Sequence, residues 1–453
     1  MVAGAGDREV SVKDRENVMS AVTRRRFVGQ AAAVAGGAAL AGSAVAKAAP
    51  APGKAARRAA AQDKTEVVIY HIFGTPPGGT PAENPHPMTQ VIDAFNEQST
   101  TATVTSLTPG NYQETLQKTQ ADIAAGNPPD LVTVPWANLH YAIDGLGIRD
   151  LPTVAGDSYD ALVALMSDTA WPLVTRDETV WGFPWGLSTP IWYYNADLFE
   201  AAGLDPAESL ATWESFAAAC PALQEQTGGP VFSLTFNKDW PAQTVIQSNG
   251  GRVLNEDGTF GIASAEAKAA MQTVADLDAG GFYDRGTADE LRPNFIAGST
   301  AVFQASVASL GGLNTDAPFT LGTFTWPRFG DTPVQASTGG SFLGSFTQDE
   351  SKFAAVTEFL GFCGSEAGYS LWNQVGYVNI SNIELDRLPG QEPAYEQFDN
   401  GLILETNWPS ARGLEAQDVW DTYCERMWAN DITVEEGTEE ALQEILSITG
   451  QEA

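Results

Sequence analysis

From residue 67 onward, short β-branched runs take turns with stretches whose apolar residues recur at helical spacing. Val67-Val68-Ile69-Tyr70 reads as a buried strand, and Val91, Ile92 and Phe95 put one apolar face on a helix over 88–97. A strand over 102–107 and a helix over 112–125 follow. Gly126-Asn127-Pro128-Pro129 ends that helix, because proline cannot continue it and glycine takes a left-handed cap. Leu131-Val132-Thr133-Val134 is the third strand. Such alternation predicts an α/β fold with an open, mostly parallel sheet and helices on both faces. Ligands of such sheets sit at the carboxyl ends of the strands. Pro135-Trp136-Ala137-Asn138, just past the third strand, is placed to meet one.

At 453 residues the chain has room for two or three domains. With 43% hydrophobic residues it fills cores while carrying a net charge of −33, which excludes a disordered acidic tail. That charge repels nucleic acid and anionic lipid alike. The first 46 residues stand apart. Thr23-Arg24-Arg25-Arg26-Phe27-Val28-Gly29 precedes an Ala/Gly-rich apolar run closing on Ala44-Val45-Ala46, the pattern of a twin-arginine export signal cleaved after small residues. Met19 would give a more usual signal length than Met1. Leu40-Ala41-Gly42-Ser43 has serine where a lipoprotein box needs its lipidated cysteine, so no lipid anchor is expected. Residues 47–65 read as a flexible leader. The expectation is an exported, periplasmic or extracytoplasmic protein.

Ligand supply argues against several chemistries. Only His71, His86 and His140 exist, in no metal-binding spacing, and Cys220, Cys363 and Cys424 form no C-x-x-C pair. A nucleophile elbow, a phosphate-binding loop and a dinucleotide fingerprint are all missing. Neither cofactor nor metal is expected, and no catalytic residue suggests itself.

Several ordered segments, from about residue 66 to the C-terminus, carry a resemblance. These are Ala125-Gly126-Asn127-Pro128-Pro129-Asp130-Leu131-Val132, Trp181-Gly182-Phe183-Pro184-Trp185-Gly186, and Trp192-Tyr193-Tyr194-Asn195-Ala196-Asp197-Leu198-Phe199. Thr212-Trp213-Glu214-Ser215-Phe216, Phe295-Ile296-Ala297-Gly298 with Ala301-Val302-Phe303, and Gly339-Gly340-Ser341-Phe342 continue the series. Each has a local reading too: Thr212 is a helix N-cap, Gly298 a tight turn, and Gly339-Gly340 a pair of amides unobstructed by side chains. Together they resemble the bacterial extracellular solute-binding proteins of the maltose-binding type, which serve ATP-driven sugar importers.

The resemblance implies a two-lobed periplasmic-binding-protein fold of the type II kind, with the ligand cleft between lobes joined by hinge crossings. Crossings are expected near 187–189 and 341–344, giving lobe 1 as 66–187 plus about 342–395 and lobe 2 as 188–341 plus about 396–453. Sugars want flat aromatic faces and planar polar groups. Trp136, Asn138, Trp185, Ser188, Asp239, Trp240, Gln304, Gly339, Gly340, Tyr377, Trp408, Arg412 and Trp420 are the ligand candidates that the resemblance suggests, although most tryptophans in any chain are packing. Ser188 stands where the maltose-binding prototype is acidic, which separates this chain from a maltodextrin assignment. The expected function is capture of a sugar or polyol by a monomeric, non-catalytic protein and its delivery to the membrane subunits of an ABC importer. A secreted carbohydrate-active enzyme, or a binding protein for another polar solute, is the alternative.

Overall fold

The computed structural model describes residues 64–74, 85–234, 239–286, 288–401 and 403–451. The expected signal, and the leader up to residue 63, lie outside the described residues. The opening elements form where the periodicity puts them: β1 (Thr65–Tyr70), a helix Pro87–Gln98, β2 (Ala102–Leu107), a helix Tyr112–Ala124 and β3 (Leu131–Pro135). Gly126 takes its left-handed conformation at φ +79°. The Asp130 that follows the two prolines is a fastener. Its buried carboxylate accepts the Val68 N–H at 2.8 Å and the Lys352 ammonium at 2.7 Å, tying β1 to the loop that enters β3.

The remaining strands are a short hairpin of β4 (Thr175–Arg176) and β5 (Thr179–Val180), then β6 (Phe183–Ser188), β7 (Pro190–Asn195), β8 (Phe232–Leu234), β9 (Val302–Ser306), β10 (Leu321–Phe324) and β11 (Gly339–Ser345). They build two main sheets, ordered β2-β1-β3-β11-β6 and β10-β7-β9-β8. The expectation of a mostly parallel sheet holds in strand direction for the first sheet, where β2, β1, β3 and β6 run one way and β11 alone runs against them. β1 is parallel to β2 and β3, but β11 runs antiparallel to both β3 and β6, because it enters from the other sheet. In the second sheet only β8 and β9 are parallel.

Each sheet has its own core. One apolar cluster joins Val67, Ile69, Phe95, Val132, Phe183, Trp185, Phe342 and Trp372 around the first sheet. The second sheet is covered on both faces, and β7 reads out the alternation: Trp192 points into one cluster, Ile191 and Tyr193 into the other. Trp192 is boxed edge-on by Trp213, Phe216 and Trp326, at centroid distances of 5.5, 4.5 and 6.1 Å. The local motifs act as their chemistry demands. Thr212 and Ser215 form a reciprocal capping box on the helix Trp213–Thr227, and Asn195 accepts the Asp197 and Leu198 amides at the start of the helix Ala196–Ala202.

The two sheets define two lobes. Thr189 alone separates β6 in one from β7 in the other, and Gln397 holds this passage by donating to Thr189 Oγ1 at 2.9 Å and to the Pro190 carbonyl at 3.0 Å. The second passage reaches the first sheet at Gly339, ahead of the expected 341–344, since β11 already pairs with β6 at Gly339–Ser188. A third return lies between Asn382, bonded to carbonyls of the first lobe, and Ala394, packed in the second.

Candidate functional site

The second passage collects the polar and aromatic groups that matter. Trp136 heads the three-residue turn that β3 runs into, and its indole N–H donates to the Gly339 carbonyl at 2.9 Å. Trp240, near the start of the helix Asp239–Ser248 in the other lobe, donates its indole N–H to the preceding carbonyl, that of Thr338, also at 2.9 Å. One tryptophan from each lobe therefore grips successive peptides of a single crossing strand.

The two glycines allow a close approach of neighbouring groups. A Cβ on Gly339 would stand 2.6 Å from the Trp240 ring and 2.9 Å from Ser188 Oγ. On Gly340, at φ +108°, it would stand 2.0 Å from the Gly186 carbonyl and 3.0 Å from Trp136 Nε1. Their missing side chains make room for the protein's own rings and backbone. Gly186 in turn admits the Tyr377 ring, 3.0 Å from where its Cβ would be.

Asp239 is completely buried and is the hub of a polar network. Its Oδ2 accepts from Trp408 Nε1 at 2.8 Å and Gln417 Nε2 at 3.0 Å, and its Oδ1 from Gln243 Nε2 at 2.9 Å. Asn138, from the first lobe, donates to Gln417 Oε1 at 3.1 Å, which links the lobes through this hub. The backbone beside it adds further bridges: the Trp408 N–H to the Ala137 carbonyl at 3.1 Å, and Asn407 Nδ2 to the Trp136 carbonyl at 3.2 Å. Gln113 and Asp418 close the same seam. Burial pushes Asp239 up to about 6, against the pull of its three donors.

Three further residues complete the locus. Glu405 bonds its own N–H to Thr338 Oγ1 at 2.9 Å, while its carboxylate accepts the Ala137 amide and lies within electrostatic reach of Asp239. Burial, with Asp239 nearby, holds it well above the usual carboxylate range. Tyr112, at the first turn of its helix, sets its phenol beside Tyr377 and close to Glu405, and burial pushes it up to about 12. Ser341, on β11, brings its hydroxyl near that phenol, the two standing outside hydrogen-bond geometry. Signals for this set are faint in the sequence: Glu405 is a lone charge in the apolar run 402–406, and Tyr112 directly follows the N-cap Asn111.

Of the thirteen candidates, Trp136, Asn138, Ser188, Asp239, Trp240, Gly339, Gly340, Tyr377 and Trp408 come together here. Four do not. Trp185 lies wholly inside the first lobe, stacked on Trp372 at 4.4 Å, with Tyr377 on the other side of Trp372 at 5.2 Å. Trp420 is wholly inside the second-lobe core. Gln304 is buried in the second sheet, paired with Trp192 and Leu234 across its neighbours. Arg412 is exposed and donates Nε to Glu415 at 2.7 Å. Core packing accounts for Trp185 and Trp420, and a surface ion pair for Arg412.

Known proteins share this architecture. The sn-glycerol-3-phosphate-binding periplasmic protein UgpB of Pectobacterium atrosepticum is 24% identical over 416 residues, covering 85% of this chain and 91% of its own. The protein of the same name from Escherichia coli K12 is 25% identical over 386 residues, 76% of this chain and 87% of its own. Among solved structures, the ABC substrate-binding protein Lmo0181 of Listeria monocytogenes, in complex with cycloalternan, superposes with a TM-score of 0.74 at 20% identity, covering 86% of this chain and all of the other. UgpB from Mycobacterium tuberculosis, in complex with glycerophosphocholine, gives 0.70 at 21%, with 85% and 99% covered. A family model described as bacterial extracellular solute-binding protein matches residues 90–382, well over half of the chain. The protein thus belongs to the bacterial extracellular solute-binding proteins.

Proposed function

We propose that this protein captures a sugar or polyol between its lobes, at the second passage, and hands it to the membrane subunits of an ABC importer after export by the twin-arginine route. It acts as a monomer without lipid anchor and without catalysis. The observation that carries this reading is the pair Trp136 and Trp240, contributed by opposite lobes to one crossing strand. Aromatic rings at such a place serve pyranose faces, and the surrounding hydroxyls and amides serve its hydroxyl groups. Hinge closure about the passages is the working motion.

Relatives carry names for a phosphorylated glycerol, a glycerophosphodiester and cyclic or linear glucosides. Asp239 and Glu405 set two acidic groups at the locus, which disfavours a phosphate dianion, and Arg412 is turned to Glu415. That supports a solute without phosphate. Two carboxylates near rings also suit a glycosidase. Asp239, however, is hidden with both oxygens engaged, which leaves it unfit as nucleophile or base.

A thermal-shift screen against mono- and oligosaccharides, polyols and sugar phosphates tests the reading. A ligand at one hundred times its Kd adds about 2.7 kcal/mol of stability. A saturable shift with a neutral or cationic polyhydroxy compound, recovered unaltered, is expected. A shift confined to sugar phosphates, or a consumed ligand, would overturn it.

A further inference from the structure

Asp239 and Glu405 differ in what they still need. Asp239 has three side-chain donors on its two oxygens and is fully enclosed. Glu405, half-buried beside it, has the Ala137 amide alone on its carboxylate among the described residues. Burial and the neighbouring Asp239 both disfavour the charged form of Glu405, and a cation set against it would favour that form. Among the described residues the protein supplies none: the groups acting on the two acids are Trp408, Gln243, Gln417, the Ala137 amide and each other.

A second observation points to the same spot. The Ser341 hydroxyl, on a residue with no exposed surface, and the Tyr112 hydroxyl both lack a hydrogen-bond partner among the described residues, and Tyr112 is within electrostatic reach of Glu405. Buried hydroxyls without partners are rare in native proteins and mark places where a ligand or water completes the set. The Tyr112 and Tyr377 hydroxyls lie side by side there, with the Trp136 and Trp240 rings along the strand on which Ser341 stands. One carboxylate with spare lone pairs and two hydroxyl oxygens fit the three N–H donors of an ammonium group.

Resting on the reading that this locus takes a polyhydroxy solute, we infer that the solute carries an amine, as in an amino sugar or aminopolyol, whose ammonium is held by Glu405 with Tyr112 and Ser341. Glu405 is then the residue that sets specificity, and the aromatic rings serve the rest of the solute.

Calorimetry with the full chain at near-neutral pH tests this on matched sets of mono- to tetrasaccharides. Members differ only in bearing a free amine, an N-acetyl group or a hydroxyl at one ring position. The amine member should bind about tenfold or more tighter than both counterparts, the worth of one hydrogen-bonded charge. Glu405→Gln should erase that preference, and Tyr112→Phe, which keeps the ring, should narrow it even if the first variant folds poorly. Hydroxyl or N-acetyl members binding as tightly as the amine would overturn the inference while leaving sugar capture standing. Binding confined to sugar phosphates, or to no polyhydroxy compound, would overturn both.

Discussion

Replacing Trp240 by phenylalanine isolates what the crossing strand owes to its two tryptophans. Phenylalanine keeps a ring over Gly339 but removes the indole donor to the Thr338 carbonyl, on a residue that is itself fully buried. A buried acceptor stripped of its partner costs about 1–3 kcal/mol. Trp136→Phe removes the donor to the next carbonyl, Gly339, and should cost a similar amount. The two carbonyls belong to successive peptides, so the variants should not be independent. Once one anchor is gone the strand can shift to recover solvent contacts, and the second loss then costs less. A double-mutant cycle by urea unfolding should therefore give a coupling of about 0.5–3 kcal/mol, the range for residues sharing one network. Each single variant should also weaken solute binding, because the rings line the locus. Single losses below about 0.5 kcal/mol, or strict additivity, would refute the claim that the passage is gripped from both lobes.

Gly340→Ala should lower the melting temperature sharply, since its Cβ would collide with the Gly186 carbonyl at a φ of +108°; an unchanged melting temperature would contradict the described backbone. Asp239 titrates at about 6 when folded, above its ordinary 3.8, so the folded state holds that proton more tightly than the unfolded state does. Its contribution to stability is therefore lost as pH rises from about 4 through about 6, by roughly 3 kcal/mol in all, since each pH unit separating the folded and unfolded values is worth about 1.4 kcal/mol. Asp239→Asn cannot titrate, and its unfolding free energy should fall less than the parent's across that window; parallel profiles would count against the assignment. Arg412→Ala should leave solute affinity unchanged and stability within about 0.5 kcal/mol, because its exposed pair with Glu415 is on the surface; a large loss of affinity would bring that arginine into the site.

The fold is legible where its signals are local. Periodicity places the opening strands and helices, Thr212 announces its cap, and the Gly126 to Pro129 punctuation marks where β3 begins. The direction of β11 is not legible. Whether β11 lies parallel or antiparallel to β3 depends on which lobe the chain arrives from, a fact spread over the long stretch of sequence between them. The site is half legible for the same reason. Trp136 and Asn138 follow a predicted strand end, where ligands of α/β sheets sit, and Asp239-Trp240 opens a helix. Trp185 and Trp420 look no different in sequence, yet both are consumed by packing, Trp185 in a three-ring stack with Trp372 and Tyr377. Gly339 and Gly340 suggest unobstructed backbone amides in sequence, and the space their side chains would fill belongs to Trp240 and Gly186. Glu405 and Ser341 acquire meaning only when residues 403–408 are laid against the Thr338 passage, a pairing that no spacing along the chain predicts.

Hydrogen–deuterium exchange, with and without the compound found by the thermal screen, locates the solute directly. Closure on a solute at the second passage should slow exchange at 136–140, 338–342 and 403–417, the three segments that meet around Trp136, Thr338 and Glu405. Slowed exchange elsewhere, with those three segments unchanged at saturation, would contradict it.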